Sequence, residues 1–278
     1  MAILSIQSAV VFGHVGNSVA ALPLERLGHE VWRLDTVCFS NHPGHGKFRG
    51  RVVPADELAA LLDGVDALGV IGKCQGVLTG YLGEAANAGV AADAVTRAKR
   101  ANAGVRYLLD PVIGDDRRTY VRAGVPEAIR AELLPLADIV KPNAYELGYL
   151  TGRSIDGPQS AVLAAKELLR LGPRAVVVTG LRADDRIDML AVAGDGVWRV
   201  SARLSPRSYN GTGDLIAALL LGHYLATGSL ASSLQLAASG VAEAIQATEA
   251  SGERELTLVP SLERIVAPPT LLAIERLE

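Results

Sequence analysis

Two cysteines, Cys38 and Cys74, are all that the 278 residues contain. That is too few for a disulfide framework and fits a reducing cytoplasm. Cys38 stands near His42 and His45, but a structural zinc site wants four ligands at tighter pair spacings, so no metal site is read there. No apolar run reaches the roughly 18 residues that a membrane span needs. The nearest, Leu215 to Leu221, is broken by Gly222-His223. The opening Met-Ala-Ile-Leu-Ser-Ile-Gln-Ser lacks a positive segment and reads as a first strand rather than a signal peptide. Basic charge is not in excess: 27 Lys and Arg against 30 Asp and Glu leave a net charge of −3. Lys99-Arg100 and Arg117-Arg118 read as solvated faces. Nothing argues for nucleic acid or an anionic membrane as partner, and the expectation is a soluble cytoplasmic protein.

Familiar chemical signatures are missing too. Gly44-His45-Gly46-Lys47-Phe48 lacks the spacing and the hydroxyl of a P-loop. Gly13-His14-Val15-Gly16 has the wrong intervals for a dinucleotide-binding turn. Neither a Gly-x-Ser-x-Gly elbow nor a His-Glu-x-x-His pair occurs.

What is present is an alternation of short apolar runs with helical patterns, the mark of βαβ units and a largely parallel sheet. Strands are expected at Ile3–Ile6, Glu30–Leu34, Ala67–Ile71, Arg106–Leu109, Ile139–Val140 and Ala175–Thr179, nearly all apolar, as strands covered on both faces are. Ile187–Val192 and Val197–Arg203, joined at Gly194-Asp195-Gly196, read as an antiparallel hairpin. Helices are expected at Asp56–Leu62, Glu84–Arg100, Pro126–Leu133, Ser160–Leu171, Leu215–Ala226 and Leu230–Thr248, with an earlier one around Pro23 whose boundary that proline blurs. Two irregular stretches, Asn41 to Val53 and Gly114 to Gly124, are long and polar enough to be binding loops or lids. The expectation is one domain over residues 1–278, a three-layer α/β/α sandwich around a mostly parallel sheet.

The sharpest signal is Asn210-Gly211-Thr212-Gly213-Asp214, leading straight into an apolar helix. Two glycines let backbone approach a ligand closely. The first amides of the helix lack partners within it and carry its positive dipole end. Together they suit a transferring phosphoryl group. Asp214 stands where it can take a proton from an attacking alcohol, and a carboxylate at a helix N-terminus is expected to be acidic. A turn plus helix cap explains the same residues taken alone.

Gly-Thr-Gly-Asp placed after a hairpin and before two long helices resembles the ribokinase-like kinases. Ser5-Ile6-Gln7-Ser8, then Gly13 to Asn17, then Phe39-Ser40-Asn41-His42-Pro43-Gly44-His45-Gly46, resembles the N-terminal third of pyridoxal kinases. So do Gly80-Tyr81-Leu82-Gly83, Asp110-Pro111-Val112 and Lys141-Pro142-Asn143-Ala144-Tyr145-Glu146, in the same order along Ile3 to Val241. The resemblance implies transfer of the γ-phosphate of ATP to the 5′-hydroxymethyl of pyridoxal, pyridoxine or pyridoxamine. Asp214 would be the base and the amides of Gly211, Thr212 and Gly213 would hold the moving group. Ser8, Val15, Pro43, Gly44, His45 and Tyr81, with Asp214, would line the vitamin pocket. Asp110, Asp115, Tyr120, Asn143, Glu146, Thr179, Arg207, Ser208, Tyr209 and Asn210 would meet ATP. Asp110 and Glu146 would meet magnesium through water, and the resemblance allows a monovalent cation as a further cofactor. Residues 115–124 would form a lid, with Tyr120 over the nucleotide. A homodimer is implied as well.

The chain departs from that family at Pro43, where a threonine usually follows Ser-Asn-His, and at Ala9, which replaces a common histidine. Pro43 offers neither hydroxyl nor N–H, so one acceptor contact is missing or comes from elsewhere, such as His45. Asn143 and Glu146 also form a helix-capping pattern in their own right, and His42 and Asn17 read equally well as loop-ordering residues. A kinase for another small alcohol, such as hydroxymethylpyrimidine, and a non-catalytic vitamin-binding protein are the rival expectations.

Overall fold

The computed structural model describes residues 1–115 and 118–277. In chain order the elements are β1 (Ala2–Phe12), α1 (Asn17–Arg26), β2 (Glu30–Asn41), β3 (Gly50–Val52), α2 (Ala55–Ala67), β4 (Cys74–Thr79), α3 (Ala86–Ala101) and β5 (Arg106–Leu109). There follow β6 (Gly114–Asp115), β7 (Arg118–Thr119), α4 (Val125–Ala128), β8 (Ile139–Val140), α5 (Ala144–Thr151), α6 (Pro158–Leu169), β9 (Ala175–Ala183) and β10 (Arg186–Ala193). The chain closes with β11 (Gly196–Arg203), α7 (Thr212–Thr227), α8 (Leu230–Ser251), α9 (Leu258–Val266) and β12 (Ile274–Arg276).

One sheet runs in the order β12-β11-β10-β9-β8-β5-β4-β1-β2-β3. Its middle, from β9 across to β2, is parallel, while β3 and β10 to β12 add antiparallel strands at the two edges. Successive side chains of a strand leave on opposite faces, and the core divides accordingly. Leu4, Ile6, Val77, Leu109, Val176 and Val178 pack with α2, α3, α5 and α6. Ile3, Leu78, Leu108 and Val177 pack with α1, α7 and α8. Helix α7 is buried without a break from Leu215 to His223, which explains its apolar run without a membrane. Each such leucine contributes about 1.5–3 kcal/mol by leaving water. Among the described residues no helix is long and apolar enough to cross a membrane.

One expected strand is corrected. Ala67 to Ile71 is not extended: α2 continues to Ala67, Leu68 is its exposed C-cap, and Gly69 at φ +68° turns the chain. The strand begins at Cys74 instead, hidden in the sequence by the polar start Cys74-Gln75-Gly76. Pro23 lies inside α1. The expected hairpin is there, with Val192 opposite Val197 and a turn at Gly194-Asp195.

The parallel strands β4, β5 and β8 end on one edge, delivering Gly80, Asp110 and Lys141 to it, and β9 passes the same edge at Thr179, which bridges to Asn143. β1 brings Ser8 to the same place. Its register against β2 slips between Gln7 and Ala9, so Ser8 sits at an irregularity of the ladder, a common device for re-aiming a side chain near a site.

Candidate active site

A crevice opens along this edge, outside the C-terminal ends of the strands, where open α/β sheets bind ligands. It is lined by Ser8, Val15, Pro43, Gly44, Tyr81, Asp110, Asp115, Tyr120, Asn143, Glu146, Thr179 and the whole run Arg207 to Asp214. Nearly every expected site residue is therefore brought together.

The start of α7 is locked by two glycines. Gly211 precedes the helix at φ +83°, and a Cβ on it would stand 1.8 Å from the His14 carbonyl oxygen. Gly16, at φ +54°, would place a Cβ 2.1 Å from the Ser8 carbonyl oxygen. No larger residue fits either position, so the 13–16 turn, the end of β1 and the head of α7 touch through backbone. The Gly16 N–H then donates to Asp214 Oδ2 at 2.8 Å. Among the described residues no side chain caps this end of α7, leaving first-turn amides for an anion.

Asp214 differs from the acidic carboxylate expected of a helix N-terminus. Enclosure in the crevice pushes its carboxyl above the ordinary range, against the pull of the Gly16 N–H, Lys141 and His42. Desolvation outweighs the helix end here.

A second group of charges lies beside it. Asp110 is buried at 3% exposure and Lys141 at 2%, and Lys141 Nζ is 3.1 Å from Asp110 Oδ1. Glu146, equally buried, accepts from the Ile113 N–H at 3.0 Å and the Asn143 N–H at 2.9 Å. Asn143 Oδ1 accepts the Glu146 N–H in return, at 2.9 Å. That is a complete capping box on α5, and Asn143 Nδ2 also donates to the Gly114 carbonyl. Burial first, and the neighbouring carboxylate next, raise Glu146; burial raises Asp110 despite Lys141. Three acids around one ammonium leave the site short of positive charge.

That shortage fits a divalent cation. Among the described residues no group of three or more His, Cys, Asp or Glu side chains forms a metal cage. Magnesium is ordinarily held by one or two carboxylates together with substrate phosphates and water, which is what Asp110 and Glu146 can offer.

Other residues are placed less as expected. His45 is absent from the crevice lining: its Nε2 meets Glu255 Oε1 at 2.7 Å and its ring meets Phe12 edge-on. Tyr209 turns into the helical core at 8% exposure, whereas Arg207, Ser208 and Asn210 are exposed. His42 lines the crevice, with Nδ1 accepting from the Gly44 N–H at 3.0 Å. Asn17, the first residue of α1, is buried and donates to Asp35 Oδ1 of β2 at 2.7 Å, tying helix to strand. The lid segment is a short hairpin, β6 against β7, with Thr119 hydrogen-bonded to Tyr145 at 2.7 Å. Asp116 and Arg117 of that lid lie outside the described residues.

Two components of the site carry little signal in the sequence. Lys141 sits just before the Pro-Asn-x-x-Glu run, and its only signal is a basic residue at the end of one strand with Asp110 at the end of another. The apolar wall formed by Ala238, Val241, Ala242 and Ile245 of α8 with Leu272 had no local signal.

Residues 57–258 match the model of the phosphomethylpyrimidine kinase family. The chain is 45% identical to the pyridoxal kinase PdxY of Rubrobacter xylanophilus, over 99% of this chain and 97% of that one. The chain belongs to the pyridoxal kinase family. Against the PdxY of Leifsonia xyli subsp. xyli it is 41% identical over 99% of both chains. Membership also accounts for the architecture. The pyridoxal kinase from Leishmania donovani in complex with ADP and pyridoxine superposes with a TM-score of 0.95 at 28% identity, over 100% of this chain and 99% of that one. The three-layer α/β arrangement expected from the sequence is thus the pyridoxal kinase fold.

Proposed function

We propose that the protein transfers the γ-phosphoryl group of ATP to the 5′-hydroxymethyl of pyridoxal, and of pyridoxine or pyridoxamine, giving the vitamin 5′-phosphate and ADP. The observation that carries this reading is Asp214 at the open head of α7, its Oδ2 tied to the Gly16 N–H, in a chain that matches pyridoxal kinases from end to end.

The chemistry follows from the geometry. The acceptor hydroxyl lies between Ser8, Val15 and Tyr81 on one side and Asp214 on the other. Asp214 orients the O–H and takes its proton as the oxygen bonds to phosphorus and the bond to the ADP oxygen breaks. A carboxyl raised by enclosure is a better proton acceptor than a solvated one. The amides of Gly211, Thr212 and Gly213 hold the three outer oxygens of the moving group. Asn143, Thr179 and Asp115 reach the phosphates, Arg207, Ser208 and Asn210 flank the base, and the β6–β7 hairpin with Tyr120 covers the nucleotide. Asp110 and Glu146 would hold magnesium, which would neutralise phosphate charge.

The phosphomethylpyrimidine kinase match favours a second acceptor, hydroxymethylpyrimidine, because its ring and hydroxymethyl arm are similar in size. A coupled ADP-release assay with both alcohols decides between them. Turnover with pyridoxal at least about tenfold faster than with the pyrimidine is expected; the reverse order moves the assignment. We also read the protein as a cytoplasmic homodimer. Val11 and Phe12, 90% and 61% exposed at the projecting end of β1, support self-association, which light scattering tests.

A further inference from the structure

We propose that Lys141 is a phosphate-binding residue whose ammonium is the site's built-in monovalent cation, so that turnover needs no added potassium or sodium. This rests on the kinase reading above.

Lys141 follows β8 directly, and its N–H donates to the Leu109 carbonyl at 2.9 Å, which fixes where the side chain starts. The side chain is 3% exposed and lies against an Asp110 side chain that is 4% exposed. Burying an ammonium is costly unless its partners are good. An ammonium has three donors, and among the described residues Asp110 is its ion-pair partner. The residue also lines the crevice. A Cβ built on Gly213 would be 3.9 Å from Nζ, so the charge sits beside the first turn of α7, where the moving phosphoryl group is held. Packing alone does not explain this residue. A methionine would fill the same space without burying a charge. The ammonium does two things: it pairs with Asp110 at 3.1 Å, and it offers a fixed point charge to phosphate oxygens, as lysines do in other phosphate sites. A potassium ion at the same spot would have the same charge and compete with Nζ for the same oxygens.

The test is a potassium titration of the wild-type protein at constant ionic strength, with Tris salts of ATP, pyridoxal and magnesium. Turnover is expected to change less than about twofold; stimulation of about tenfold or more overturns the proposal. Lys141→Met is expected to bind ADP about tenfold more weakly by calorimetry, and potassium is expected to restore that affinity. Lys141→Arg keeps the charge and is expected to bind ADP within a few fold of wild type. A methionine variant that binds ADP normally without a potassium response also overturns the proposal. If that variant does not fold, the wild-type titration and the arginine variant decide. Absence of turnover with every vitamer would strike the kinase reading instead, and the ADP arm would still judge Lys141.

Discussion

The two ends of α7 both bury titratable side chains, and they use burial for different ends. At the head, Asp214 is pushed up by enclosure but faces an open crevice and has the Gly16 N–H and Lys141 as company. Near the tail, His223 is driven down to about 4 by burial, and His29 beside it is lowered too. His29 Nε2 meets the Gly222 carbonyl at 3.1 Å, while His29 Nδ1 and His223 Nε2 find no partner among the described residues. Neither histidine lines the site crevice. A perturbed group marks a working site only where a ligand can reach it; at the tail the same physics yields a neutral packing residue.

Substitutions separate the two ends. Asp214→Ala is expected to lower kcat by about two decades or more, the usual scale for a general base, with ADP affinity little changed in calorimetry. Gly211→Ala comes next. It forces φ +83° on a residue with a Cβ and drives that Cβ into His14, so a loss of about 1–3 kcal/mol in denaturant melts is expected, together with slower turnover. At the tail, activity is untouched and stability responds to pH. The histidines are neutral in the fold and protonate in the unfolded chain below 6.5, so the unfolded state binds more protons as pH falls. Stability is therefore full above about 6.5 and is lost toward about 4. His223→Gln is expected to flatten that slope in melts at pH 5 and pH 7.5, without changing kcat at pH 7.5. The smallest effect is expected at the exposed loop. Pro43→Thr supplies a hydroxyl to the acceptor side and should lower KM for pyridoxal by less than about tenfold, with kcat unchanged.

The head of α7 was legible because its demands are local. Two glycines, a hydroxyl and an acid before an apolar helix can be read in five residues, and the parallel order of β5, β8 and β9 follows from apolar runs spaced by helices. What escaped was set by distant parts of the chain. Gly211 is required by the backbone of His14, far away in the sequence. Lys141 gains meaning only when β5 and β8 lie side by side. Asp214 was misjudged because helix-end electrostatics are local and enclosure is not. His45 was read as facing the acceptor, since nothing near it foretells Glu255.

The central claim is that Asp214 meets the acceptor hydroxyl at the head of α7. A crystal structure with a non-hydrolysable ATP analogue and pyridoxine tests it most directly. An Asp214 carboxylate oxygen is expected within about 2.6–3.2 Å of the 5′-hydroxyl, with the terminal phosphate against the amides of residues 211–213. An Asp214 turned to bulk water, with the phosphate elsewhere, would contradict it.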